Sequence, residues 1–276
     1  MLRSATPPAI TVVMACRNAA DTLLTTIQAL QGQTVTDWEL LAVDDASTDD
    51  TPQILASATL ADPRISWRKL SLGGPARARN LGVDLARASL IAFLEPGDIC
   101  APDRLALLVQ GFATRPLADA LYGRLDGRGR VPPDPLGLDA LLEDDPVGTV
   151  SNLAVRRDAF DAVGGFDSNA ARGEALDLLT RMALSGARIH GLDRVMVHRP
   201  AAPTATPQAT PEATPEATHS SARLAAGPAA RPASPCPSWV ERLALVGARL
   251  AADADAASCS EAFVLEGPTP CAVTLR

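Results

Sequence analysis

The sequence predicts an α/β fold in which helices pack on both faces of a doubly wound, mostly parallel sheet. Short apolar runs at 10–15, 40–43 and 90–94 have the length and texture of buried strands. Segments with apolar residues at helical spacing follow them after short connections. Strand and helix therefore alternate, which is the order typical of parallel sheets.

The remaining strands and helices are predicted from the same spacing of apolar residues along the chain. The strand at 65–70 alternates apolar and polar residues, so we expect it at an edge of the sheet. The region 115–147 is rich in Pro, Gly and charge and predicts loops with one short helix near 138–142. In chain order, further strands are predicted at 148–155 and 189–198, and helices begin near 21, 52, 74, 102, 157 and 174.

The stretch from Trp38 to Thr51 indicates where a ligand would bind. Its apolar run ends in Asp44 and Asp45, and Thr51 as N-cap followed by Pro52 predicts a helix start. The two carboxylates therefore lie at the carboxyl edge of the sheet, where open α/β sheets bind ligands. The alternative is that these side chains only cap and solvate a turn.

Composition narrows the class of protein. With 276 residues and a net charge of −7, the chain is large enough for a sizeable core and unsuited to a nucleic-acid partner. Its five cysteines are odd in number and widely spaced, which predicts neither a disulfide framework nor a zinc site. The lack of a signal pattern or a long apolar run predicts a cytoplasmic protein, with peripheral membrane association left open.

Three regions are expected along the chain. Residues 1–199 form the α/β domain, and 200–237 form a disordered linker that carries A-T-P-Q and A-T-P-E repeats. Residues 238–276 predict a helix that begins with a capping-box pattern, followed by a hairpin. This last segment is too small for confident independent stability, so docking on the domain, a second copy, a membrane surface or a protein partner is expected.

The first 200 residues resemble family-2 glycosyltransferases with the GT-A fold. Five segments in matching order carry the resemblance: the first strand with R-N-A-A-D-T-L, V-D-D-A-S-T-D-D-T, G-G-P-A-R-A-R-N-L-G, F-L-E-P-G-D and R-R-D-A-F-D-A-V-G-G-F-D. The resemblance implies a nucleotide-sugar donor, with a UDP-sugar as the usual case. It also implies an acceptor that is a glycan, a lipid-linked molecule or a small molecule.

The resemblance further implies roles for the donor-binding residues. Asp45 would accept a hydrogen bond from the base, beside backbone from Ala15 to Arg17, since a carboxylate is a good acceptor for a ring N–H. Gly73 and Gly74 would let the backbone approach the donor closely. Arg77 and Arg79 are both candidates to face the diphosphate, because a guanidinium suits phosphate oxygens. Only one of them would do so, and the other would be a solvated helix residue.

The sequence departs from the family at the metal motif. Family members end the fourth strand in D-x-D, whose last Asp holds Mn²⁺ or Mg²⁺. The matching residues here are Glu95, Pro96 and Gly97, followed by Asp98. Glycine offers no ligand to a hard cation, so Glu95 and Asp98 are the remaining candidates and the metal itself is in doubt.

A second departure concerns the catalytic base. The family's E-D pair corresponds to Glu174 and Ala175, so the position of the base is an alanine and Glu174 is the best remaining candidate. Asp177 lies roughly 200° further around a helix and is a poor substitute. Two hypotheses follow: an active, inverting glycosyltransferase, or a degenerate relative that binds nucleotide or acts as a scaffold. A dehydrogenase is excluded because no G-x-G-x-x-G opens the first βα unit.

Overall fold

The computed structural model describes residues 6–126, 131–143, 145–167 and 173–200. The predicted linker after Pro200 and the predicted C-terminal segment 238–276 lie outside the described residues. The strands are β1 (Ile10–Cys16), β2 (Trp38–Asp45), β3 (Ile65–Leu70), β4 (Leu90–Phe93), β5 (Ile99–Cys100), β6 (Ala120–Leu125), β7 (Leu153–Arg156) and β8 (Ile189–His198). The helices are α1 (Ala20–Gln31), α2 (Thr51–Ala61), α3 (Gly74–Leu85), α4 (Arg104–Thr114), α5 (Leu138–Glu143), α6 (Arg157–Ala162) and α7 (Glu174–Leu184).

These strands form one sheet in the order β3-β2-β1-β4-β7-β6-β8-β5. The β3-β2-β1-β4 half is parallel throughout, and β6 pairs with β8 in parallel. The pairs β4–β7, β6–β7 and β5–β8 are antiparallel. The predicted α/β class with a mostly parallel sheet is confirmed, and β3 is an edge strand as predicted.

Two hydrophobic clusters cover the two faces of the sheet, which is the expected result of alternating side chains along each strand. On β1, Val12 and Met14 belong to the cluster that also contains the buried residues of α1. Val13 lies between them in sequence and belongs to the opposite cluster, with residues of α3 and α7. The carboxyl ends of β1, β2 and β4 are therefore held by packing on both sides.

The structure differs from the sequence prediction mainly between residues 115 and 155. Strand β6 lies where loops were predicted, and its Gly123 explains the difference. A glycine in a strand interior usually indicates a break, but here a Cβ would lie 2.2 Å from Met196 Cγ on β8. The strand predicted at 148–155 begins only at Leu153, after a 3₁₀ turn at Val150–Asn152.

The helices agree more closely with prediction. Helix α2 begins at Thr51 itself, with Asp50 as N-cap, so the prediction of Thr51 as N-cap is wrong by one residue. Helix α4 begins at Arg104, two residues later than predicted. Among the described residues, the longest helices have 12 residues, and none could cross a membrane.

Candidate donor and catalytic site

The loops that follow β1 and β2 are tied to each other by hydrogen bonds. The Asn18 N–H donates to Ser47 Oγ at 2.9 Å, and the Thr48 N–H donates back to Asn18 Oδ1 at 2.9 Å. One residue further on, the Ala19 N–H donates to Thr51 Oγ1 at 2.8 Å, and the Ala20 N–H donates to Asp49 Oδ2 at 3.0 Å. The Thr51 hydroxyl therefore helps to tie the start of α2 to the loop after β1.

The predicted base-binding backbone lies beside this pair of loops. Ala15 is half-buried near the end of β1, and Arg17 is exposed in the loop that follows. Both lie at the carboxyl edge of the sheet, next to the end of β2, as the parallel pairing of Ala15 with Val43 requires. Their predicted contacts with a nucleotide base remain predictions.

The two aspartates at the end of β2 have different surroundings. Asp45 is 2% exposed and accepts from the backbone N–H groups of Gly73 at 2.6 Å and Gly74 at 2.9 Å. Asp44 is fully buried, and its Oδ2 has no hydrogen-bond partner among the described residues. Burial, and next the Asp44 carboxylate, raise the pKa of the neighbouring Cys16 thiol, so the thiol stays protonated.

The glycine pair that Asp45 holds leads directly into α3. Gly74 has φ +78°, a backbone conformation that favours glycine, and a Cβ there would meet no atom within 4 Å. The surface at Gly74 is therefore open to close approach by another molecule. The predicted contact of Gly74 with the donor stays a prediction.

The E-P-G-D segment after β4 is a tight turn that brings two carboxylates together. The Asp98 N–H donates to the Glu95 carbonyl at 3.1 Å, and Gly97 has φ +95°. Pro followed by a glycine of positive φ is the pattern of a type II turn. Because Glu95 and Asp98 are the first and last residues of this turn, their side chains lie close enough to share partners.

Arg79 joins two of the predicted site residues. Its buried guanidinium forms ion pairs with Glu174 and, at 2.9 Å, with Glu95. The guanidinium also lies 5.4 Å from the centroid of the Phe166 ring. Arg77, two residues earlier on α3, is exposed. The structure thus separates the two arginines that the sequence left as alternatives.

Arg199 is a member of the site that sequence reasoning missed. It lies just after β8 and donates to Asp98 Oδ1 at 2.7 Å, Asp98 Oδ2 at 2.8 Å and Glu95 Oε2 at 3.1 Å. Thr149, also missed, accepts from Arg199 at 2.8 Å and donates to Glu95 Oε2 at 2.9 Å. The hydrogen bond with Asp98, foremost among several effects, raises the pKa of Arg199.

A third arginine lies beneath this cluster. Arg104 is 1% exposed and donates to the carbonyl oxygens of Phe93 at 2.9 Å and Ser151 at 2.7 Å. Burial lowers its pKa, and the charge of Asp98 opposes that effect. Asp98 is therefore close to two cationic side chains, Arg199 at its surface side and Arg104 within the core.

This donor set does not suit a divalent cation. Both Asp98 oxygens and one Glu95 oxygen accept from Arg199, and the other Glu95 oxygen accepts from Arg79. Among the described residues no group of three or more metal-binding side chains comes together. A hard cation prefers several oxygen ligands of its own. The predicted metal-binding role of Asp98 and Glu95 is therefore not favoured by this arrangement.

The candidate base lies on the other side of Arg79. Glu174 begins α7, its side chain is 14% exposed, and its Oε2 pairs with Arg79. Its Oε1 has no hydrogen-bond partner among the described residues. Ala175 is 7% exposed and packs in the hydrophobic cluster, and Asp177 forms an ion pair with Arg181 at 2.9 Å. Glu174 is thus the carboxylate of this helix start that lies in the site.

Comparison with known proteins identifies the family. The model of "Glycosyl transferase family 2" matches residues 11–164. The succinoglycan biosynthesis protein ExoO of Rhizobium meliloti is 38% identical over 104 residues, which are 37% of this chain and 29% of that protein. A putative teichuronic acid biosynthesis glycosyltransferase, TuaG of Bacillus subtilis, is 32% identical over 117 residues, which are 42% of this chain and 46% of that one. The chain thus spans less than half the length of these relatives.

Solved structures show the same fold at low sequence identity. TarS 1–349 of S. aureus in complex with UDP has a TM-score of 0.59 and 20% identity, over 68% of this chain and 59% of that one. The mannosyltransferase PcManGT of Pyrobaculum calidifontis, in complex with GDP-Man and Mn²⁺, has a TM-score of 0.58 and 20% identity, over 70% and 57%. With the family model covering more than half of its sequence, the chain belongs to glycosyl transferase family 2.

Proposed function

We propose that this chain transfers a sugar from a uridine diphosphate donor to an acceptor in polysaccharide biosynthesis, with inversion at the anomeric carbon. The observation that carries the proposal is the ion-pair cluster of Arg79, Glu95 and Glu174 at the carboxyl edge of the sheet. The names of the relatives support the acceptor class, since they concern succinoglycan and teichuronic acid. The complexes of TarS with UDP and UDP-GlcNAc support the donor class.

Different residues of the chain bind different parts of the proposed donor. The tied loops after β1 and β2, with Ala15 and Arg17, take the base, and the open backbone at Gly74 takes the ribose and diphosphate side. Asp45 fixes the position of that backbone through its two hydrogen bonds. Rigid positioning of this kind lowers the barrier of a group transfer by holding the reacting atoms in place.

Glu174 is the proposed base. The acceptor hydroxyl oxygen attacks the anomeric carbon from the face opposite the diphosphate, the bond from that carbon to the phosphate oxygen breaks, and UDP leaves. The hydroxyl proton passes to Oε1 of Glu174, the oxygen that Arg79 does not hold. Arg79 keeps the carboxylate oriented, and a positioned base contributes roughly 10²–10⁴-fold to such a rate.

The test measures UDP release from UDP-sugars in the presence of candidate glycan acceptors, together with UDP affinity. We expect Glu174→Gln to lower the turnover rate by roughly 10²-fold or more while UDP affinity changes little. Asp84→Asn replaces an exposed carboxylate on α3 and is the matched control. Equal turnover in Glu174→Gln and wild type would reject Glu174 as the base.

A second candidate function has its own supporting observation. Ala175, at the position of the family's base, faces the hydrophobic cluster and offers no proton acceptor. Under this alternative the chain binds a nucleotide and acts as a scaffold subunit. UDP binding without sugar transfer to any acceptor of the screen would favour it over the transferase.

A further inference from the structure

We propose that Arg199 takes the place of the divalent cation in this site, so that the chain binds the donor diphosphate without a metal ion. The inference rests on the proposed function, because it assumes that the ligand is a nucleoside diphosphate. It assigns to Arg199 a direct contact with the diphosphate oxygens.

The first argument is the way in which Arg199 is anchored. Its Nε donates to Asp98, and its Nη2 donates to Asp98, Glu95 and Thr149. This is the fork-like geometry in which a guanidinium binds carboxylates. The two carboxylates that remain from the altered motif therefore hold a guanidinium between them, at the place where a metal would need their oxygens.

The second argument is the part of Arg199 that is not anchored. A guanidinium has five N–H donors, and Nη1 of Arg199 donates to no described residue. The side chain is 46% exposed, whereas the Asp98 beneath it is 3% exposed. One edge of the guanidinium is thus fixed on carboxylates and the other edge is accessible. A metal ion that bridges protein carboxylates and a phosphate has the same arrangement, with one side bound to the protein and the other open to the phosphate.

The third argument is the local charge. Three carboxylates meet here, on Glu95, Asp98 and Glu174, and three guanidinium groups lie among them, on Arg79, Arg104 and Arg199. The cluster therefore has no excess negative charge to attract a divalent cation. Removing Arg199 alone would leave one negative charge in excess and would release both Asp98 oxygens and one Glu95 oxygen from their bonds with Arg199. The result would be a better site for a hard metal.

The test compares UDP binding to the full chain by calorimetry in EDTA and in Mn²⁺. We expect the wild-type affinity to be equal in the two solutions. Arg199→Ala should bind UDP about ten- to hundredfold more weakly in EDTA, which is the loss typical of a charge-assisted hydrogen bond. Addition of Mn²⁺ should restore much of that loss in Arg199→Ala only. Arg194→Ala removes an exposed arginine of β8 and is the matched control, expected to behave as wild type.

A second titration uses Mn²⁺ alone and does not depend on nucleotide. We expect no Mn²⁺ binding at this site in wild type and measurable binding in Arg199→Ala that the further change Asp98→Ala abolishes. Mn²⁺-dependent UDP binding in wild type would overturn the role of Arg199 and leave the proposed function intact. If wild type binds no UDP in either solution, the proposed function fails first, and this inference fails with it.

Discussion

At the scale of single residues, the site depends on charged groups that hold each other and the backbone in position. Asp45 is the clearest case, because a buried carboxylate accepts from two successive N–H groups at the start of α3. The interaction fixes the glycine pair relative to the end of β2. It follows that Asp45 contributes to stability whether or not it also contacts a base.

Asp45→Asn tests these two contributions separately. One amide oxygen cannot replace two carboxylate oxygens, and the NH₂ group would face a backbone N–H. We expect the free energy of unfolding to fall by about 1–3 kcal/mol, measured by urea denaturation, and UDP affinity to fall with it. Asp50→Asn changes an exposed residue at the start of α2 that makes no side-chain cap hydrogen bond, and it should alter neither quantity. Wild-type stability with weakened UDP binding would restrict Asp45 to ligand contact.

Sequence reasoning found the residues of the site that belong to short motifs. Asp45, Gly74, Glu95, Asp98 and Glu174 each lie at or next to a strand end or a helix start, where local pattern is informative. Arg79 lies inside α3, in the G-G-P-A-R-A-R-N-L-G segment that begins this helix. Arg199 and Thr149 have no such signal. The Asp98 that Arg199 binds lies 101 residues earlier in the chain, and only the sheet order, with β8 beside β5, brings them together. Contacts at such separation follow from topology, which a local pattern does not encode.

At the scale of elements, one carboxylate joins two helices and a strand. Asp62, directly after α2, accepts from Arg64 Nε at 3.0 Å, Arg64 Nη2 at 2.8 Å and, from α1, Gln31 Nε2 at 3.1 Å. Arg64 leads into β3 and lies 3.9 Å from the centroid of the Trp38 ring on β2. These contacts, foremost the hydrogen bonds from Arg64, lower the pKa of Asp62 to about 2.

The low pKa of Asp62 predicts a loss of stability in acid. Because the folded pKa lies below the unfolded value of about 3.9, the stabilisation is complete above that value and is lost as the pH falls from about 4 to about 2. Asp62→Asn should remove roughly 2 kcal/mol of unfolding free energy at pH 7 and flatten the pH dependence in that window. Thermal unfolding between pH 2 and 7 measures both the loss of stability and its pH dependence. The control is Asp158→Asn, which changes an exposed carboxylate.

An unchanged acid profile in Asp62→Asn would reject the assignment. The measured slope would then have to come from other carboxylates whose pairing is lost in acid. A matching acid profile in Arg64→Ala, by contrast, would place the effect in this pair, since both variants disrupt the side-chain ion pair between Asp62 and Arg64.

Across the sheet, continuous apolar runs predicted β1, β2 and β4 well because these strands are buried on both faces. Strand β6 was not predicted because Gly123, which allows the close approach of β8, stands where a strand usually has an apolar side chain. The two-residue strand β5 was not predicted because it is too short to show a period. Both belong to the mixed half of the sheet, where pairing depends on distant strands more than on the local sequence.

Among the described residues, which end at Pro200, the site residues and the two hydrophobic clusters all belong to the α/β domain. The contacts of the chain also divide after Pro203. We therefore expect a chain shortened after Pro203 to unfold cooperatively and to bind UDP with the affinity of the full chain, both measured by calorimetry. Loss of UDP binding in a folded, shortened chain would assign part of the donor site to residues beyond 203.

The glycine of the E-P-G-D turn limits how the site could be redesigned to bind a metal ion. Gly97 has φ +95°, so Gly97→Asp would add a carboxylate to the turn at a conformational cost of about 1–2 kcal/mol. The carboxylate oxygens of Glu95 and Asp98 in the same turn would still accept from Arg199. An engineered metal site would therefore require changes both in the turn and at Arg199, because Gly97→Asp alone leaves those oxygens paired with the guanidinium.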